Sequence, residues 1–314
     1  MIRVDPPQWT GRDDGPGPEH LRWHGAVRPL ARAAEPGTAL IGFASDEGVR
    51  RNKGRTGAAE GPDALRRALA PLALHSPAPL YDGGDVRVDD GDLEAGQRAL
   101  GEAVAGAMAG GHFPVVLGGG HEVAYASYLG LDSGLGPDRQ RTLGVLNLDA
   151  HFDLREEPVP TSGTGFLQIA RDERARGRDF RYAAVGISRT ANTGALFGRA
   201  AELGAEYLTD DACSPLALEK VLDFVRAFTA SVDDVYLTLD LDVLPAWVAP
   251  GVSAPAALGV APEVVQAVIE TVAASGRLAL FDVAELNPSL DADGRTARVA
   301  ARMIDRAVAG RCPA

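Results

Sequence analysis

Six short apolar runs recur along the chain: TALIGFA (38–44), FPVVLGG (113–119), TLGVLNLD (142–149), RYAAVGIS (181–188), DVYLTLDLD (234–242) and RLALFDVAEL (277–286). Each is strand-length and nearly continuous in apolar residues, which predicts strands buried on both faces. Between them lie alanine-rich segments with apolar residues every three or four positions: GPDALRRALAPLA (61–73), LEAGQRALGEAVAGAMAGG (93–111), SPLALEKVLDFVRAFTA (214–230), APEVVQAVIETVAASG (261–276) and TARVAARMIDRAVAG (296–310). These predict amphipathic helices. Buried strands alternating with helices imply an α/β fold with a central, mostly parallel sheet covered on both faces. Residues 1–35, rich in Pro, Gly and charge, predict an irregular N-terminal arm. No repeat or low-complexity linker follows, so residues 36–314 read as a single domain.

With 314 residues, 46% of them hydrophobic and 24% charged, the chain can bury a large core and is not of the disordered class. Its formal net charge of −12 argues against nucleic acid or an anionic membrane as partner. No apolar run reaches the length of a membrane span, and the first twenty residues have no apolar core, so the expected location is the cytoplasm. Cys213 and Cys312 lie near no ligand pattern and read as free thiols of a reduced compartment.

Functional residues in a parallel sheet gather at the carboxyl ends of its strands. Here four runs end in chemistry-bearing residues: VVLGGGHE, VLNLDAHFD, YLTLDLD and LALFDVAE. If the extended geometry persists, Asp149, His151 and Asp153 share one side of a strand, and Asp240 and Asp242 share a side of another. With His121 these make four carboxylates and two imidazoles. Four carboxylates held together repel one another unless cations neutralise them, and two divalent ions come close to balance. Oxygen-rich ligands with imidazole and no thiolate suit manganese better than structural zinc. A lone Asp after a strand is ordinarily a cap or turn residue; the joint spacing of three blocks is what favours a metal site. The GGG before His121 lacks the features of a phosphate loop and reads as a sharp backbone turn beside the site.

The blocks GGGHE (118–122), NLDAHFDLR (147–155), TLDLDVLPAWVAPGVSAP (238–255) and FDVAELNP (281–288) together resemble the ureohydrolase family of arginases, agmatinases and formimidoylglutamases. The resemblance runs from about residue 40 to the C-terminus. It implies a three-layer α/β/α arginase-like fold with two manganese ions per chain. Carried over by motif, the ligands become His121, Asp149, His151, Asp153, Asp240 and Asp242. Asp149 and Asp240 would bridge both ions, His121 and Asp153 would complete one site, and His151 and Asp242 the other. Glu285 falls where the family places the carboxylate that holds an amidine or guanidine group. The resemblance also implies a homo-oligomer, trimer or hexamer.

Three features bear on the substrate's tail. Arg155 stands two residues past a ligand, where arginases and agmatinases lack an Arg; a guanidinium there would attract a carboxylate and repel an amine. Ser162 stands where agmatinases carry a proton-shuttling His, which leaves Asp153 or a water as the general acid. The blocks GVRRNKGRTGAAEGPDALRRAL (48–69), SRTANTGALF (188–197) and DADGRTARVAA (291–301) resemble the formimidoylglutamase subfamily and add Asn52, Arg55, Arg189 and Asn192 as candidate carboxylate partners. The expected reaction is manganese-dependent hydrolysis of N-formimidoyl-L-glutamate to L-glutamate and formamide, a late step of histidine breakdown. The expected partner is thus a small amidine-carboxylate. The alternative is a guanidino-acid hydrolase releasing urea; a non-catalytic ligand-binding relative and a two-metal phosphoesterase are weaker readings.

Overall fold

The computed structural model describes residues 2–31, 34–75, 78–136 and 140–311. Cys312 lies outside the described residues. Among them, ten strands form one sheet: β1 (Ile2–Val4), β2 (Val27–Pro29), β3 (Thr38–Ala44), β4 (Leu80–Arg87), β5 (Phe113–Leu117), β6 (Leu143–Leu148), β7 (Arg181–Ile187), β8 (Glu206–Thr209), β9 (Asp234–Asp240) and β10 (Leu278–Ala284). Ten helices accompany it: α1 (Trp23–Ala26), α2 (Glu47–Arg51), α3 (Gly61–Leu69), α4 (Leu93–Ala109), α5 (Val123–Leu135), α6 (Gly165–Ala175), α7 (Gly194–Glu202), α8 (Leu218–Ala230), α9 (Pro262–Ala274) and α10 (Arg295–Arg311).

Strand order is β1-β4-β3-β5-β10-β9-β6-β7-β8, with β2 also on β4. Every pairing is parallel except β1 on β4. Strand residues alternate between two cores, as the pleat requires. Leu40, Val115, Leu117, Leu237, Leu239 and Val283 pack with α3, α8, α9 and α10. Ile41, Phe43, Val116, Tyr236 and Leu280 pack with α4, α5, α6 and α7. The result is the three-layer α/β/α arrangement that the apolar pattern and the family resemblance imply.

Part of the N-terminal segment that reads as an irregular arm is built into the sheet, since β1 and β2 both hydrogen-bond to β4. Trp23 is fully buried and donates to Asp305 of α10 at 3.0 Å.

The strands that carry the chemistry are neighbours. β5, β10, β9 and β6 are consecutive across the middle of the sheet, although β9 and β10 come last in the chain. They insert between β5 and β6, so the crossovers diverge there and leave a crevice at the strand carboxyl ends.

Candidate metal centre and its pocket

β5 ends at Leu117, and Gly118, Gly119 and Gly120 lead to His121. None of the three has positive φ, so a sharp turn is not what selects them. Close approach is: a Cβ would lie 2.5 Å from the Val283 carbonyl at Gly118, 1.9 Å from the Ser45 carbonyl at Gly119 and 2.1 Å from Glu122 Oε2 at Gly120. The bare backbone lets Gly118 N–H donate to Val283 O at 2.8 Å and Glu285 N–H donate to Gly119 O at 2.7 Å. The ends of β5 and β10 are thereby locked together.

The ligand block after β6 is not an extended strand. β6 stops at Leu148, the chain bends from Asp149 onward, and Asp153 has a left-handed φ of 47°. Asp149, His151 and Asp153 therefore meet because the backbone loops, not because alternate residues share a strand face. The loop is braced from outside. Tyr182 donates to Phe152 O at 3.0 Å, Asn192 Oδ1 accepts from Phe152 N–H at 3.0 Å, and the Phe152 ring sits edge-on to Phe197 and Tyr207. Asp240 ends β9, while Asp242 belongs to the 3-10 turn Leu241–Val243, its N–H donating to Asp240 Oδ1 at 2.8 Å.

These segments bring the six residues together. His121 Nδ1 lies 3.2 Å from Asp149, 3.0 Å from Asp153 and 3.1 Å from Asp240. His151 Nδ1 lies 2.9 Å from Asp242 and 3.6 Å from Asp149. Two ligand groups result, His121–Asp149–Asp153–Asp240 and Asp149–His151–Asp242, each with its donor atoms within 4.8 Å of one another. Asp149 belongs to both.

Burial pushes Asp240 well above the usual carboxylate range, and the charges of Asp242 and Asp149 add to it. Burial, as the largest cause, also raises Asp153 and Asp242. Burial opposes the charge of Asp149 too, but hydrogen bonds with His121 and His151 lower it. On the imidazole side burial disfavours a charged His121, yet the carboxylates of Asp149, Asp153 and Asp240 outweigh it and raise its pKa well above the ordinary value. The charge of Asp242, the largest cause, does the same for His151. The cluster thus requires positive charge at its centre. Oxygen donors with two imidazoles and no thiolate fit a hard divalent cation such as manganese. The free Cys213 is buried elsewhere, its thiol pushed up to about 12 by burial.

A cavity of about 320 Å³ opens over the cluster, lined by His121, His151, Asp153, Asp240, Asp242 and Glu285, and by Asn52, Arg55, Arg155 and Ser162. Glu285 has a φ of 70°, and its Oε1 accepts from His121 N–H at 2.8 Å. Burial first, and then the charge of Glu122, push its carboxyl up to about 8. Behind it Glu122 accepts from Ser45 Oγ and from Gly48 N–H, both at 2.9 Å, and burial pushes it up to about 7. Ser162 Oγ accepts from Asn52 Nδ2 at 3.1 Å. The Arg155 guanidinium has no hydrogen bond or ion pair among the described residues; the adjacent Glu156 is held by Arg171 and Arg199.

Two expected pocket residues are not there. Asn192 is buried, and its amide donates to Ala150 O and Ser188 O at 2.8 Å each besides accepting from Phe152, so its hydrogen-bonding capacity holds the ligand loop. Arg189 is exposed and does not line the cavity. Arg55 lines it but donates to Ser253 O at 2.9 Å and Val252 O at 2.8 Å, tying the rim loops together. Sequence reasoning passed over Lys53 and Ser253, both cavity-lining. Their proximity to Asn52, Arg55 and the APGVSAP block was the available signal.

A three-layer α/β/α fold with a buried Asp/His cluster at its strand carboxyl ends defines a metal-site protein of the ureohydrolase kind. The chain belongs to the Arginase family, whose profile matches residues 36–310. It is 59% identical to the formimidoylglutamase of Rhodococcus jostii (strain RHA1), over 99% of this chain and 98% of that one. It is 52% identical to that of Aeromonas salmonicida (strain A449), over 94% and 95%. Among solved structures, Trypanosoma cruzi formiminoglutamase with Mn2+ is similar at a TM-score of 0.77 and 26% identity, over 88% of this chain and 93% of that one. Formimidoylglutamase from Bacillus subtilis shares the fold at a TM-score of 0.79 and 21% identity, over 91% and 90%. Among the described residues no helix is long and apolar enough to cross a membrane.

Proposed function

We propose that this protein is a formimidoylglutamase, hydrolysing N-formimidoyl-L-glutamate to L-glutamate and formamide with two manganese ions held by His121, Asp149, His151, Asp153, Asp240 and Asp242. The observation that carries the reading is the pairing of that anionic cluster with an unpartnered Arg155 on the wall of the same cavity. Supporting it is identity above 50% to formimidoylglutamases along nearly the whole chain. When bound, the ions would supply a water-derived nucleophile at neutral pH and Lewis acidity toward the amidine.

The chain's own groups supply the rest. Glu285, whose carboxylate burial and Glu122 disfavour until a positive charge arrives, accepts hydrogen bonds from the planar, cationic formimidoyl nitrogens and fixes the reacting carbon over the cluster. Arg155 pairs with a carboxylate of the glutamate portion and sets which end of the substrate enters first. Asp153, on the cavity wall, delivers the proton that the glutamate nitrogen takes up as its bond to the formimidoyl carbon breaks. The net reaction adds one water and releases formamide and glutamate. Residues 36–314 would carry the catalytic machinery in one domain, to whose sheet the N-terminal segment adds β1 and β2, and the place of the reaction in histidine breakdown follows from the substrate.

Product analysis tests the assignment. The manganese-loaded protein, offered formimidoylglutamate, guanidinobutyrate and agmatine, should release formamide from the first and little urea from the others. Preferential release of urea would replace this reading with a guanidino-acid hydrolase.

A further inference from the structure

One cation on the pocket wall has no role in the reading above. Lys53 lines the same cavity as Arg155. It follows α2 with a φ of 61°, the left-handed conformation in which helix ends ordinarily carry Gly or Asn. Among the described residues no hydrogen bond or ion pair reaches its ammonium. The chain thus places a long cationic side chain where the backbone favours none, and leaves its charge free.

Arg55 is tied to the Val252 and Ser253 carbonyls, so the cavity retains two cations without a protein partner, Lys53 and Arg155. They are fixed on one rim. Asn52, next to Lys53, donates to Ser162 Oγ at 3.1 Å. Gly163, next to Ser162, accepts from Arg155 N–H at 2.9 Å. A Cβ at Gly163 would lie 2.9 Å from Arg155 Cδ, so that glycine makes the room in which the Arg155 stem lies. The floor of the pocket is anionic and its rim cationic, which complements a molecule with an amidinium at one end and carboxylates at the other.

We infer that Lys53 and Arg155 form a two-cation clamp, each binding one of two carboxylates on the same substrate. This rests on the formimidoylglutamase reading and deepens it, because Lys53 becomes the residue that selects a dicarboxylate tail over a monocarboxylate one. A guanidino-acid with a single carboxylate would leave one cation of the clamp unpaired.

The test uses manganese-loaded Lys53→Gly, which suits the left-handed backbone, Lys53→Met, which keeps the stem without the charge, and Lys53→Arg. Substrates are formimidoyl-L-glutamate, 4-(formimidoylamino)butanoate, which lacks the α-carboxylate, and N-formimidoyl-2-aminobutanoate, which lacks the distal one. With formimidoylglutamate, the Gly and Met variants should raise KM about 10-fold with kcat within about twofold, the size of one charged hydrogen bond. Arg should recover most of the loss. On the analogue lacking the carboxylate that Lys53 holds, the variants should match wild type, and Lys53→Gly should unfold at no lower temperature than wild type. An active wild type whose KM is unmoved in Lys53→Gly and Lys53→Met, or variants impaired equally on all three substrates, would overturn the clamp alone. A wild type that releases no formamide would overturn the formimidoylglutamase reading and the clamp with it.

Discussion

At the scale of single residues, the site separates side chains that hold charge from those that read shape. Glu285 belongs to the first kind. Its burial and the nearby Glu122 push its carboxyl up to about 8, so an incoming cation relieves a charge the fold disfavours. Glu285→Gln should lower kcat/KM by about 100-fold, the scale of a lost charged positioning contact, with metal content by elemental analysis unchanged. An unaltered kcat/KM would make Glu285 a structural residue. Arg155→Ala should lower kcat/KM by about 10- to 150-fold, since a hydrogen bond to a charged group is worth roughly 1.5–3 kcal/mol. Arg155→Lys should restore only part, because an ammonium cannot form the bidentate fork. Equal loss on an analogue without carboxylates would assign Arg155 to the loop instead. The six cluster residues were legible because ligand chemistry needs particular residue types in recognisable blocks. How they converge was not: Asp153 turns through a left-handed φ, so the residues that the period-two argument grouped do meet, but through a looped backbone and not an extended one. Asn192 was misread because an amide suits a backbone brace as well as it suits a ligand, and only the fold distinguishes them.

At the scale of elements, the apolar pattern found strands and helices whose environment is uniform and missed those whose environment is mixed. β4 reads LYDGGDVR, with two acids and two glycines where a strand should be apolar. It is a strand because Arg66 of α3 reaches across to it, donating to Asp82 at 2.8 and 3.0 Å and to Asp85 at 2.7 Å in a buried network. Gly42 completes the fit, since a Cβ there would lie 1.8 Å from Asp85 Oδ1. α5 went unseen for a different reason: most of its residues are buried, so it lacks the polar face that marks an amphipathic helix. The Arg66 network can be tested directly. Arg66→Met leaves two buried carboxylates without their cation, Asp82 keeping only the donors Trp9 Nε1 and Gly84 N–H, and should cost about 3–5 kcal/mol in denaturant unfolding near pH 7. The pH dependence has a definite sign. Burial already raises Asp85 above its ordinary 3.8 against the pull of Arg66, and removing Arg66 raises it further. A group raised in the folded state contributes stability below its unfolded pKa and loses it as pH rises through the folded value. The deficit of Arg66→Met should therefore shrink as the pH is lowered toward 4. A deficit that is flat or grows on acidification would mean that the network contributes by packing and not by charge.

At the scale of the whole molecule, a chain with a net charge of −12 concentrates four carboxylates, three buried and Asp153 half-buried, at the centre of its sheet, where β5, β10, β9 and β6 end side by side. Packing brings those charges together; helices on both faces of the sheet leave the cavity as their access to water. Without divalent ions the imidazoles of His121 and His151 are the nearest source of positive charge, as the raised pKa values of both reflect. That arrangement links folding to metal. An ion that binds the folded chain and not the unfolded one stabilises it by RT ln(1 + [L]/Kd), about 2.7 kcal/mol at roughly 100 times Kd. Thermal unfolding of the metal-stripped protein should accordingly move upward with added manganese, in steps that follow occupancy, and return on chelation. Magnesium, which dehydrates reluctantly, should do less at equal concentration. Asp149→Asn discriminates the cause, because Asp149 alone belongs to both ligand groups. The variant should bind fewer ions and lose most of the manganese-dependent rise. A full manganese response in Asp149→Asn would place the ions elsewhere in the molecule.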